Sequence, residues 1–195
     1  MEISSGNTYK WAIRSFEEGA VFTAFDLETT GLNPRLDQIV EIGAVKFDRK
    51  GTIARFSTLI NPGIPMPAEA EKINKISDEM LRGKPFLDEV FPDFLSFIQG
   101  TTLIAHNMAF DSGFINEKLK ERWGKEAKPW IPPFPSLPNP LVCTLVFSRE
   151  VFPGLRSYAL QSLAEELRLP VSDAHRAEDD ARLCMEIFLH IYNYA

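Results

Sequence analysis

The run Phe22-Thr23-Ala24-Phe25-Asp26-Leu27-Glu28-Thr29-Thr30-Gly31 is apolar and β-prone up to Phe25, then places two acids two residues apart. This pattern predicts a first strand over 21–28, with Thr30-Gly31-Leu32-Asn33-Pro34 as the turn that follows. A second, mostly apolar strand is predicted over 38–47 and a turn at Asp48-Arg49-Lys50-Gly51. A third strand is predicted over 52–60, its alternation carried by Ile53, Phe56 and Leu59. Short turns between these runs predict an antiparallel meander.

Beyond Pro62, Pro65 and Pro67 the period changes to that of a helix. An acidic helix start falls at 68–71 and a cap at Ser77. A helix over 86–99 lines up Leu87, Val90, Phe91, Phe94, Leu95 and Ile98, and Gly100 stops it. A short apolar strand over 101–105 leads into His106-Asn107 and a helix from Met108 to about Trp123. Helical patterns return near 143–152, 157–169 and 174–194, while residues 1–20 carry weaker helical character around Trp11, Ile13 and Phe16. Between Pro129 and Pro140 lie six prolines, with Trp130, Ile131, Phe134 and Leu137 among them, which predicts an extended loop. A brace for the fold is favoured over a partner-binding motif there. Strands first, then helices with a late strand, indicate α/β or α+β with a mixed sheet.

At 195 residues the chain is expected to be one domain with a real core. A net charge of −6 argues against duplex binding through a general basic field. It leaves open a nucleic-acid enzyme whose phosphate affinity comes from metals and a few local cations. Cys143 and Cys184 form no C-x-x-C pair, so neither a disulfide scaffold nor a zinc site is expected. With no apolar leader and no run of membrane-spanning length, the chain reads as a soluble protein of a reducing compartment, hence cytoplasmic and without membrane contact. Lys118, Lys120, Arg122, Lys125 and Lys128, set against Glu117, Glu121 and Glu126, read as a solvated helix face.

The candidate chemistry lies in the acids. Side chains alternate along a strand, so Asp26 and Glu28 share a face, about 6.6 Å apart along the chain. Two buried carboxylates on one face repel and desolvate badly; they need protons or cations, and hard divalent cations suit them. Taken alone, the pair also fits a strand end at which both acids reach water. Asp111 heads an apolar stripe of Phe114, Ile115 and Leu119, and Asp180 heads one of Leu183, Cys184, Ile187 and Ile191. A single acid on a core face is ordinarily a cap or a satisfied polar group. Four acids converging on one point would be unstable without metal. Glu41, inside the second strand, has no second acid near it and reads as structural.

FDLETTG, HNMAFD and HRAEDDA, in that order, resemble the three motifs of the DEDDh family, the DnaQ-like 3′–5′ exonucleases, over residues 21–190. That family includes proofreading epsilon subunits of bacterial DNA polymerase III, three-prime repair exonucleases, ribonuclease T and oligoribonuclease. The resemblance implies an α/β, ribonuclease H-like fold: a five-stranded mixed sheet flanked by helices, with a further strand near 141–146. The domain division would then be an N-terminal extension at 1–20 and an exonuclease domain at 21–195. By resemblance, Asp26, Glu28, Asp111 and Asp180 would hold two Mg²⁺ or Mn²⁺ ions and His175 would be the general base. Thr29, Thr30 and Leu32 would lie beside the terminal nucleotide, with His106, Asn107 and Phe110 on the opposite wall. For Leu32 and Phe110, ordinary packing is an equal reading.

Paired cations suit a highly charged phosphoryl transition state, and Asp26 on the central strand is best placed to bridge them. Five residues along a helix is 500°, so His175 and Asp180 can address one site only if His175 lies in the loop or first turn. The expected activity is release of nucleoside 5′-monophosphates from single-stranded DNA 3′ ends, alone or as a proofreading subunit of a polymerase. The alternatives are an exoribonuclease of the oligoribonuclease or ribonuclease T kind and a silent nucleic-acid- or polymerase-binding module. The silent module predicts a lost ligand, whereas all five positions are filled. One departure stands out: many relatives carry Asp-Thr where this chain has Cys143-Thr144.

Overall fold

Along the first strand, Phe22, Ala24, Asp26 and Glu28 alternate with Phe25 and Leu27, and this alternation separates two cores. The computed structural model describes residues 5–123, 136–171 and 176–194. The strands are β1 (Phe22–Thr29), β2 (Ile39–Asp48), β3 (Gly51–Leu59), β4 (Thr102–Ala105) and β5 (Leu141–Cys143), in the order β3-β2-β1-β4-β5. The first three form the antiparallel meander; β4 and β5 run parallel to β1. The helices are α1 (Ser5–Glu17), α2 (Ala68–Asn74), α3 (Asp78–Leu81), α4 (Leu87–Ile98), α5 (Met108–Trp123), α6 (Thr144–Val151), α7 (Leu160–Glu166) and α8 (Ala177–Tyr194). Among the described residues no helix is long and apolar enough to cross a membrane.

One face of the sheet presents Phe22, Ala24, Val45 and Phe47 to α8, α1, α6 and α7. Phe16 of α1 sits edge-on to Phe22, Phe188 and Tyr192, with ring centroids 5.1 to 5.2 Å away. Such pairs add about 0.5–1.5 kcal/mol each beyond their buried area, so α1 is bound into the core. The other face presents Phe25, Leu27, Ile42 and Ala44 to α4 and α5, through Phe91, Phe94, Phe114 and Ile115. A small third core joins Val40 to Met66, Ala70, Ile76 and Leu81.

Several details differ from the sequence expectation. The helical pattern near 143–152 begins only at Thr144, because Val142 and Cys143 pair with Ile104 and Ala105 in a three-residue strand too short to show its own period. Ile53 is 52% exposed. The pairing of Phe56 with Ala44 turns Phe56 into the core and leaves Ile53 on the other face of an edge strand. Lys118 is not on a solvated face; it is 7% exposed, with Nζ donating to Gln38 Oε1 at 3.3 Å and to Glu121 Oε2 at 3.0 Å. Of the proline-rich loop, residues 129–135 lie outside the described residues, while Leu137 is buried against the α4–α5 core.

Two features aim the ends of the central strands. The β1–β2 register slips between Glu28 and Thr29, so Glu28 faces Glu41 but Thr29 faces Ile39. Val40 is the extra residue, and its carbonyl accepts from Ile60 N–H at 2.8 Å. A bulge of this kind bends the strand and re-aims its side chains. Gly43, opposite Asp26, is where α8 touches the sheet. A Cβ there would stand 2.1 Å from the backbone of Ala177 and Glu178. Gly43→Ala is therefore expected to cost at least about 1–3 kcal/mol, the usual cost of overpacking, since backbone rather than a flexible side chain must yield. It should also move Asp180, one turn along α8, and lower activity. A urea midpoint and a cleavage rate both equal to wild type would show that α8 does not depend on this contact.

Candidate active site

Asp26 and Glu28 stand on the α8 face of β1, at the end where β1 and β4 part. Asp180, in the first turn of α8, comes down over them because Gly43 lets the helix backbone lie on the sheet. One carboxylate oxygen from each of Asp26, Glu28 and Asp180 lies within 4.8 Å of the others. Asp111, in the first turn of α5, is 2% exposed and accepts a hydrogen bond from Leu27 N–H at 3.2 Å. Three of the four acids thus form the tight cluster, and the fourth reaches Asp26 through its charge from beside β1.

The electrostatics follow from this crowding. Burial first, then the charges of Asp111, Asp180, Glu28 and Glu41, push the Asp26 carboxyl well above its ordinary value. Glu28 is pushed from 4.5 up to about 8 by burial and by Asp180, Glu41 and Asp111, with Arg176 pulling the other way. Burial also raises Asp111, against the hydrogen bond from Leu27. A donor set made only of carboxylate oxygens, electrostatically short of positive charge, suits hard divalent cations such as Mg²⁺ or Mn²⁺ better than metals that favour nitrogen or sulfur ligands. These residues can hold such an ion.

Glu41 is 1% exposed and structural, but it is not isolated. Arg176 donates Nη2 to Glu41 Oε1 at 2.7 Å and Nε to both oxygens, and Ala177 N–H donates to Oε2 at 3.2 Å. A carboxylate at the first backbone N–H of α8 is favourably placed against the helix dipole. This clamp, together with Gly43, sets where α8 begins.

The remaining predicted residues divide into two groups. Thr29 and Thr30 are buried, and their hydroxyls serve the turn they begin. Thr29 Oγ1 donates to the Gly31 carbonyl at 2.6 Å, and Thr30 Oγ1 accepts from Gln38 N–H at 2.9 Å. Asp37 closes the loop by accepting from Asn33 N–H at 2.8 Å and from Thr30 Oγ1 at 3.3 Å. Leu32 projects from this latched loop and is 83% exposed. Asn107 is exposed in the left-handed region, with φ of 61°, where β4 passes into α5; Phe110 is part-buried against Phe114.

His106 faces inward. Its Nε2 lies 2.7 Å from the Tyr158 carbonyl, so that nitrogen carries the proton. Burial lowers the pKa of His106, the ring is neutral, and Nδ1 accepts from Thr144 Oγ1 at 3.0 Å. Thr144 is in turn 3.4 Å from the Cys184 thiol, which burial keeps protonated and able to donate. This chain of hydrogen bonds ties β4, α6, α8 and the start of α7 together behind the acids. His175 lies outside the described residues. Sequence reasoning missed Arg176, Asp37 and Tyr158, whose roles come from partners many residues away.

A strand-borne acid pair completed by acids from two helices, on a five-stranded mixed sheet, defines a ribonuclease H-like exonuclease domain. The model of the family described as "Exonuclease" matches residues 23–188, and the chain belongs to that family. It is a 3′–5′ exonuclease. The DNA polymerase III subunit epsilon of Treponema pallidum (strain Nichols) is 49% identical over 182 residues, covering 92% of this chain and 80% of that protein. The epsilon subunit of Aquifex aeolicus (strain VF5) is 35% identical over 170 residues, covering 87% and 79%. Among solved structures, exonuclease X in complex with 5′ overhanging duplex DNA superposes with a TM-score of 0.69 at 25% identity, covering 89% of this chain and 92% of that one.

Proposed function

We propose that this protein removes nucleotides from single-stranded DNA 3′ ends as 5′-monophosphates and serves as the proofreading subunit of a replicative polymerase in the cytoplasm. The observation that carries the reading is the convergence of Asp26, Glu28 and Asp180 within 4.8 Å, with Asp111 hydrogen-bonded beside them. The epsilon-subunit relatives support the polymerase setting. The proposed division is an extension at 1–20, docked through Phe16, and an exonuclease domain at 21–195.

In this reading Asp26, Glu28, Asp111 and Asp180 hold two Mg²⁺ or Mn²⁺ ions. Bound there, the ions supply positive charge for the phosphoryl transition state and help ionise the attacking water. His175 takes a proton from that water, which requires its neutral ring. Leu32 and Phe110 meet the terminal nucleotide from the two sides, with Thr29 and Thr30 shaping the loop and Asn107 at the mouth. His106 serves by holding Asn107 and the start of α5, since both its ring nitrogens are already engaged.

The test is degradation of linear and circular single-stranded DNA, with an RNA oligomer of the same sequence alongside, at fixed Mn²⁺. The linear DNA should lose 5′-monophosphates from its 3′ end while the circle survives. Equal cutting of the circle would contradict the end requirement, and faster loss of the RNA would move the substrate class to RNA.

A further inference from the structure

Next to the acid cluster stands one polar side chain with no role assigned above. Gln161, the second residue of α7, donates Nε2 to Asp180 Oδ1 at 2.6 Å. Its Oε1 is buried and has no hydrogen-bond partner among the described residues. Buried amide oxygens are rarely left so, and an orphan beside a polar site marks a place where water or ligand is expected.

The helix that carries the amide is anchored on two sides. Three residues earlier, the Tyr158 carbonyl accepts from His106 at 2.7 Å, and the Tyr158 hydroxyl donates to the Phe152 carbonyl at 2.6 Å. Leu163 and Ala164 bury another side of α7 in the core. The side-chain type also suits the position. A lysine or arginine here would neutralise Asp180, and a further acid would add repulsion to a crowded site. A neutral amide fixes the rotation of the Asp180 carboxylate and leaves its charge intact.

We propose that Gln161 is a positioning residue of the exonuclease centre. Its NH₂ orients Asp180, and its Oε1 accepts a hydrogen bond from a water that enters the site with the divalent ion. The proposal rests on the exonuclease reading of the acid cluster. Partners that orient metal ligands in this way commonly change metal affinity or activity 10–100-fold when removed.

The test uses Gln161→Met, which keeps the length and loses both polar atoms, and Gln161→Asn, which keeps the amide one methylene short. Mn²⁺ affinity is measured by titration calorimetry on the metal-free full chain, with kcat and KM measured separately. Both variants should bind Mn²⁺ about 10–100-fold more weakly, with kcat lowered and KM for the oligonucleotide little changed. If Gln161 only staples α7 to α8, folded variants will be less stable yet bind Mn²⁺ within about twofold of wild type, and the proposal fails. Should Gln161→Met not fold, Gln161→Asn decides by the same measurement. A wild-type protein that binds no Mn²⁺ would overturn the reading of the acids as a divalent-ion site, and this proposal with it.

Discussion

Asp26→Asn is expected to lower the cleavage rate by more than about 10³-fold while the protein stays folded. Loss of one positioned group that stabilises a transition state already costs about 10²–10³, and Asp26 belongs to the tight cluster of acids and feels the charge of the fourth. Its neighbours say why the fold should survive. Asp26 lies among Asp111, Asp180, Glu28 and Glu41, whose charges all disfavour its ionisation. An amide carries neither the repulsion of the ionised acid nor the cost of protonating it on folding, so at neutral pH the metal-free variant should unfold at a higher urea concentration than wild type. Near wild-type cleavage at limiting Mg²⁺ would remove Asp26 from the centre.

The second large effect is on stability and pH. Glu28 has a pKa of about 8 in the folded protein against 4.5 for the free side chain. Between those values the native state holds a proton that the unfolded state has lost, so the stability of the metal-free protein falls as pH rises through this window. Each pH unit of such a difference is worth about 1.4 kcal/mol, so the crowded acids, Glu28 among them, should together produce a decline of several kcal/mol. Asp26 and Asp111 act in the same direction. Unfolding midpoints at pH 5 and pH 8 should therefore differ most without metal. Mn²⁺ should restore the pH 8 midpoint by binding the native state, and Glu28→Gln should flatten the profile. A metal-free wild type with equal stability at both pH values would mean that the acids are not crowded as described.

Much of this centre was legible in the sequence because it depends on period. Asp26 and Glu28 share a face by the two-residue repeat of a strand, and Asp111 and Asp180 stand on core faces by helical spacing. What the sequence does not display is contact between distant residues. Glu41 was visible as a lone acid in an apolar strand, but its partner Arg176 lies 135 residues further on. Gly43 looks like any glycine in a strand until α8 is laid across it. The strand Leu141–Cys143 is too short to have a pattern, and it was legible only through the family resemblance. The helical pattern over 157–169 showed the helix that carries Gln161 but not the residue's importance, which depends on the position of Asp180.

The central claim is that these acids form a divalent-ion site. Titration calorimetry of the metal-free protein with Mn²⁺ at pH 7, in two buffers of different ionisation enthalpy, tests it most directly. Because Glu28 titrates near 8, its carboxyl is mostly protonated at pH 7 and must lose its proton when a cation binds. The expected result is two equivalents of Mn²⁺ bound, with release of about one proton or more. Absence of binding at millimolar Mn²⁺, or binding without proton release, would contradict the account.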